Sequence, residues 1–225
     1  MRTSLASLVF ALLLPVSAAA QLAPPPPPPP PAGAVVVVAP APARVVAVYE
    51  SGHTGFFFRG TIGPGYGSAS ADVSGTKVRM SGAGVSLRVG IGGYVVPNFA
   101  LYADLGGVGL PGPNVSFGGS SGSASSDTTL VVAGFGLGFS YYIMPIDIYV
   151  GGAIRAVQLS IDDGSGTTAK SDMGVGGSLV LGKEFWVSSS LTLGPALELE
   201  YSRIPDGDTT WSVFTAALTL SLTYN

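Results

Sequence analysis

The chain has no cysteine among its 225 residues and a single histidine, His53. The first absence excludes disulfides, thiolate chemistry and the acylated cysteine that anchors a bacterial lipoprotein. Charge is scarce as well: Lys, Arg, Asp and Glu together make up 10% of the sequence and leave a net charge of −3. With no basic stripe there is no electrostatic case for nucleic acid. A long apolar run is also missing. Although 47% of the residues are hydrophobic and the mean hydropathy is +0.49, no stretch reaches the ~20 consecutive apolar residues of a spanning helix. A chain this apolar must then satisfy its backbone polar groups in another way, and a closed β-barrel is the other structure that spans hydrocarbon.

What is present is alternation. In residues 85–95, Val85, Leu87, Val89, Ile91 and Val95 share one face while Ser86, Arg88 and Tyr94 share the other, the pattern of a strand whose successive side chains point to opposite sides. Eight segments read this way: 56–66, 83–95, 99–107, 130–143, 147–157, 173–186, 191–202 and 212–224. Each is close to the ~9–11 residues of a tilted strand crossing a bilayer. The connections alternate in length. Pro97-Asn98, Met144-Pro145 and Ser188-Ser189-Ser190 mark tight turns, whereas 67–82, 108–129, 158–172 and 203–211 read as long loops rich in Gly, Ser, Thr and Asp. Short turns on one side and long loops on the other are the outer-membrane pattern, the short ones facing the periplasm. Pro64 and Pro195 fall inside strands and remove ladder donors, so bulges are expected there.

Residues 1–20 read as a signal peptide: Arg2 supplies the positive start, 8–14 a short apolar core and Ala18-Ala19-Ala20 a cleavage site. An uncleaved anchor is the competing reading, disfavoured because the apolar core is shorter than the bilayer. Eight prolines follow at 24–31, with fixed φ and no N–H, so they form a polyproline II rod that cannot join a sheet. Residues 21–53 are therefore expected to be a Pro/Ala/Val-rich periplasmic arm, a spacer in preference to a docking motif. Residues 54–225 are left for the barrel.

The charged residues of the alternating part take the parity opposite to the apolar ones. Arg59, Arg88, Asp104, Arg155, Glu198 and Glu200 are expected to face inward. An eight-stranded interior is about wide enough to be filled by side chains, and buried charges need partners, so these six are expected to form a lumenal charge network in place of a greasy pocket. Catalysis by the carboxylates is the alternative, but a network accounts for the arginines too. Aromatic residues near the short turns (Phe99, Tyr141, Phe185, Trp186, Tyr224) and near the loops (Tyr66, Tyr201, Trp211) are expected to form the two interfacial girdles. Gly134-Phe135-Gly136-Leu137-Gly138 lacks the strand-to-helix context of a nucleotide-binding loop and reads as lumenal glycines making room for long neighbours. Asp162-Asp163-Gly164 and Asp206-Gly207-Asp208 lack the full acidic spacing of a calcium loop and read as turns. No metal and no cofactor are expected.

The barrel region resembles the small eight-stranded OmpA/OmpX-like outer-membrane proteins. The final alternation Ala216, Leu218, Leu220, Leu222, Tyr224 is similar to the terminal signal that such proteins present to the barrel-assembly machinery, with Leu218, Leu220, Leu222 and Tyr224 as its matching residues. The aromatic is penultimate here, before Asn225, where the family pattern puts it last. The resemblance implies an all-β, eight-stranded antiparallel up-and-down transmembrane β-barrel in a Gram-negative outer membrane, a monomer among outer-membrane lipid and lipopolysaccharide. A structural or surface-interaction role without catalysis is expected. A narrow pore remains open as an alternative, because a charged lumen is compatible with a plugged or a wet interior. A lipid A modifying enzyme is a further one, but the lone His53 is expected on the arm, away from the outer leaflet. A soluble ligand-binding barrel would need charge outside and apolar residues within.

Overall fold

The computed structural model describes residues 53–73, 75–165 and 167–225. The expected signal peptide, and the expected arm apart from His53, lie outside the described residues. Eight long antiparallel strands form a ring: β1 (Phe56–Val73), β2 (Thr76–Val96), β3 (Phe99–Pro111), β4 (Thr129–Ile143), β5 (Ile148–Asp162), β6 (Gly174–Lys183), β7 (Leu191–Asp206) and β8 (Thr209–Tyr224). Each strand pairs with its sequence neighbours, and β8 pairs back onto β1 from Phe58↔Tyr224 to Ser70↔Ser212, which leaves the ring of eight without a free edge. The chain is thus an eight-stranded up-and-down β-barrel, with the inside-out polarity of a membrane protein. Leu137 and Ile154 are 76% and 74% exposed on the outside, while Arg155 and Ser140 are 1% and 0% exposed within.

We call the end that carries the start of β1 and the finish of β8 the base, and the other end the rim. The base turns are tight. Asn98 and Asp147 take positive φ of 66° and 50° there, a conformation that Asn and Asp tolerate because their side chains can bond locally. The rim differs from expectation. The stretches 67–82 and 203–211 are strand almost throughout: β1 and β2 stay paired from Phe56↔Gly93 to Val73↔Thr76, and β7 and β8 continue to Asp206↔Thr209. Between β3 and β4 the chain forms a small hairpin, Asn114–Phe117 with Ser120–Ser123, the first of which also pairs with β2. Thr168–Lys170 adds itself to β5. Small and polar side chains hid these extensions, because outside a bilayer the outward positions carry no apolar mark.

The outward surface dates the change. On β7 it is apolar from Leu191 to Tyr201 and becomes polar at Arg203; on β2 it is apolar from Val95 to Val85 and polar at Ser81, Arg79 and Lys77. Residues 191–201, at ~3.4 Å per residue and a tilt of ~40°, rise about 26 Å, the height of the apolar band of an outer-membrane barrel. The outward aromatics Tyr66, Tyr201 and Phe214 close this band at the rim side and Tyr141, Phe185 and Tyr224 at the base. Trp186 and Trp211 do not belong to the girdles. Both have inward parity, Trp186 stacking on His53 and Trp211 packing on the interior apolar cluster.

The two strand prolines open gaps without making bulges. The β1–β8 register is the same at Ile62↔Leu220 and Gly65↔Ala217, with the pairs at Gly63 and Pro64 absent between them. Opposite Pro195 the partner strand breaks between β6 and the short Phe185–Trp186 segment, and again the register is unchanged on either side. Pro195 lacks the N–H that would close the ladder there, and a local gap suffices. Among the described residues, the register shifts at Tyr94/Val96, between β2 and β3.

The band makes a depth-dependent prediction. Leu137→Arg sets a charge against mid-bilayer hydrocarbon and should cost ~2–4 kcal/mol, whereas Thr210→Arg, outward on β8 beyond the band, should cost under ~1 kcal/mol. Urea titrations of unfolding from lipid vesicles measure both; equal costs would contradict the placement of the band.

Candidate functional site

The interior is filled in layers. At the base, His53 is fully buried, so the barrel, not the arm, holds the chain's one histidine. Its ring stacks on Tyr142 at 3.7 Å between centroids and on Trp186 at 5.1 Å. Its Nδ1 donates to Asn225 Oδ1 at 2.9 Å, an oxygen that also accepts from Tyr94 Oη. The backbone closes around it through Asn98 N to His53 O (3.0 Å) and Asn225 N to Ser190 O (2.9 Å).

Above this plug sits Arg59. Its Nε donates to Thr223 Oγ1 at 3.1 Å, its Nη1 to Ser140 Oγ at 2.9 Å, and its Nη2 to Tyr142 Oη and, at 3.2 Å, to Glu184 Oε1. The guanidinium carbon lies 3.8 Å from the centroid of the Tyr149 ring, a cation–π contact strengthened by the burial of Arg59. Glu184 is equally well held: Tyr142 Oη (3.1 Å) and Thr223 Oγ1 (2.7 Å) donate to Oε1, and Thr192 Oγ1 (2.6 Å) to Oε2. Sequence reasoning missed Glu184. The signal was there, since Val175, Leu179, Leu181 and Phe185 mark odd positions as outward in this segment and so turn position 184 inward.

The middle layer joins the other expected charges. Arg88 reaches Glu198 through Nε (3.3 Å), Asp104 through Nη1 (3.7 Å) and Glu200 through Nη2 (2.8 Å). Arg155 meets Asp104 through Nε at 2.7 Å and Glu200 through Nη1, and its Nη2 donates to the carbonyl oxygens of Gly106 (2.7 Å) and Gly134 (2.8 Å). Glu198 Oε1 accepts from Thr61 at 2.7 Å and Thr219 at 3.2 Å. Asp104, Arg88, Arg155, Glu198 and Glu200 thus share one cluster, while Arg59 belongs to the layer below with Glu184. Lumenal glycines admit the rings between them: a Cβ at Gly138 would run into Tyr102, and one at Gly182 into Tyr149. A cavity of about 30 Å³ remains among Arg59, Arg88, Asp104, Glu198 and Tyr102, room for one or two waters.

The rim third departs from expectation, because it is apolar. Val108, Leu110, Leu130, Val132, Val157, Leu159, Ile204 and Val213 pack against one another inside the barrel, with Ala69 and Met80. In runs such as Leu130-Val131-Val132 both parities are apolar, so alternation could not separate the inward pair from the outward Val131. The acidic strings at the rim are turns. Asp162 Oδ1 accepts from Gly164 N and Asp163 Oδ1 from Ser165 N, each at 2.9 Å. Hydrogen bonds from Ser165, first its hydroxyl and then its amide, hold the Asp163 carboxyl below the usual carboxylate range. Asp206 accepts the Trp211 indole N–H at 3.2 Å. At the C-terminal strand, Leu218, Leu220, Leu222 and Tyr224 all face outward.

No family model and no curated protein matches the chain. Among solved structures it is similar to Neisserial surface protein A, with a TM-score of 0.50 and 17% identity over 75% of this chain and 96% of that one. It also aligns with the outer-membrane protein OprG from Pseudomonas aeruginosa (TM-score 0.45, 13% identity, 78% and 99% covered). A third is the outer-membrane protein AlkL (TM-score 0.45, 16% identity, 76% and 90% covered). At such identities the likeness is one of fold alone.

The middle layer holds three carboxylates against two guanidiniums, so its members are unequal. Arg155→Met leaves three carboxylates facing one guanidinium and should cost ~3–5 kcal/mol. Glu198→Gln equalises the count, keeps an oxygen for Thr61 and Thr219, and should cost well under half as much. Unfolding titrations in vesicles compare them; a Glu198→Gln cost as large as that of Arg155→Met would contradict the charge balance.

Proposed function

We propose that this chain is an integral outer-membrane barrel with a closed lumen, serving a structural or surface-interaction role without catalysis. In this reading the base lies in the periplasm, the rim stands above the outer leaflet, and the interior charges are a lumenal network that fills the barrel. The observation that carries it is the filling of the interior from end to end: the His53 plug, two layers of paired charge, and the apolar packing at the rim. A conducting path would need continuous water, and the cavity within the network, about 30 Å³, holds only a molecule or two.

The enzymatic alternative finds little support. His53 is wedged among Tyr142, Trp186 and Asn225 at the base, far along the barrel from an outer-leaflet substrate. The strands that extend beyond the apolar band, with Phe117 58% exposed on the small rim hairpin, instead suit a surface that meets other molecules. Outward Leu218, Leu220, Leu222 and Tyr224 are available to the assembly machinery during insertion.

Three measurements test the reading together. The protein should fractionate with outer membranes, migrate differently in SDS before and after boiling, and give no steady conductance in a planar bilayer. Recovery as a soluble periplasmic protein would overturn the membrane assignment, and a stable ohmic channel would replace the closed barrel with the narrow pore.

A further inference from the structure

The outer face carries its own charge pattern at the rim edge of the apolar band. Arg79 on β2, Ser70 on β1, Ser212 on β8 and Arg203 on β7 are successive cross-strand partners, so they stand in one row. All four point outward, and at ~4.8 Å per strand the two arginines are about 14 Å apart at their Cα atoms. Two residues nearer the base, the same strands present Ser81, Ser68, Phe214 and Tyr201, and below these come Ala83, Tyr66, Ala216 and Leu199. A groove of about 260 Å³ opens between the rows, walled by Lys77, Arg79, Ser70 and Ser212 and floored by Tyr201 and Phe214.

These cations are free to bind. Among the described residues none of Lys77, Arg79 and Arg203 forms an ion pair, in contrast to the interior arginines. Arg79 Nε donates to Ser68 Oγ at 3.0 Å, which steadies the side chain and leaves its terminal nitrogens uncommitted. Of the carboxylates near the row, Asp72, the cross-strand partner of Lys77, accepts from Gly75 N at 2.9 Å, and Asp206 accepts from the Trp211 indole. Guanidinium and hydroxyl donors side by side suit phosphate oxygens. An aromatic and aliphatic surface directly beneath suits acyl chains, and cations at a bilayer edge are drawn to anionic headgroups.

We infer that this groove is a binding site for a phosphorylated glycolipid of the outer leaflet, the lipid A portion of lipopolysaccharide. Arg79 and Arg203 hold phosphates on either side of the headgroup, Ser70 and Ser212 bond between them, Lys77 adds charge, and the acyl chains run down over Phe214, Tyr201 and Leu199. The span between the arginines matches a headgroup with two phosphates better than a lone anion. The inference rests on the orientation given under the proposed function, with the rim outward.

Native mass spectrometry of the full chain in phosphatidylcholine nanodiscs doped with bis-phosphorylated lipid A tests it. Wild type should retain lipid A, and Arg79→Gln combined with Arg203→Gln should lower retention about tenfold or more. Lys183→Gln, at the base, should change nothing. Lys77→Gln with Arg79→Gln is a second pair should the first not refold. Dephosphorylated lipid A should not be retained, and inorganic phosphate should not displace the lipid. Equal retention by wild type and the groove variants, or equal retention of the dephosphorylated lipid, overturns the site; displacement by inorganic phosphate makes it a free-anion site and overturns the lipid. Heat-dependent migration in SDS, measured on the same samples, separates the two levels: if it persists while binding fails, only the site falls. If wild type shows neither, the barrel reading falls with it.

Discussion

A guanidinium removed from water needs hydrogen-bond acceptors and a counter-charge, and Arg155, 1% exposed at the centre of the barrel, has Glu200 and two backbone carbonyls as acceptors and Asp104 as a second counter-charge. Its partners come from β3, β4 and β7, so the pairing couples strands on different sides of the ring. Arg88 ties β2 to the same carboxylates and to Glu198. Breaking such a set by removing one member strands the others, which is why the interior is a constraint on register as much as a filling. A one-residue slip of β1, β2, β3, β5 or β7 would turn its inward charge toward the bilayer and its outward apolar side chains inward.

That constraint explains the layering. In the part of the barrel enclosed by hydrocarbon, the interior holds guanidiniums set against carboxylates and hydroxyls, and the outside holds Val, Leu, Ile and Phe. Beyond the aromatic row at Tyr66, Phe214 and Tyr201 the outside becomes Ser, Lys and Arg, and there the interior turns apolar, with Leu110, Leu130 and Ile204 packed as in a soluble β-protein. The polarity of the two faces exchanges where the surroundings change from lipid to water. At the opposite end, His53, Tyr94, Tyr142 and Asn225 join the start of β1 to the finish of β8 and close the base.

Much of this was legible because parity is a strong signal wherever one face meets hydrocarbon. Residues 85–95 and 133–143 declared their faces, Pro97-Asn98 and Met144-Pro145 their turns, and Arg59, Arg88, Asp104, Arg155, Glu198 and Glu200 their side. Parity is silent where both faces are polar or both apolar. The extensions of β1, β2, β7 and β8 read as loops because Ser68, Ser70, Ser81 and Thr210 look like loop residues, and the apolar rim interior was hidden in runs such as Leu130-Val131-Val132. Glu184 lay beside Lys183 and before Phe185-Trp186, where a short run of mixed chemistry obscured its alternation. His53 was beyond reach, since nothing local to Gly52-His53-Thr54 announces a stack on Tyr142 and Trp186; the inward turn of Trp186 belongs to that stack and that of Trp211 to the apolar rim cluster.

The central claim is that the two faces of each strand meet lipid and a nearly dry, packed interior. Solid-state NMR of the protein in bilayers reads this directly, by following magnetisation transferred from lipid acyl protons and from water protons to methyl groups along β7 and β8. The account predicts strong lipid transfer to Leu197, Leu199, Leu218, Leu220 and Leu222, and weak water transfer to the inward Ala196 and Ala217 compared with Ala124 at the rim. Water transfer to Ala196 and Ala217 as fast as to Ala124 would mean an open aqueous lumen and would contradict it.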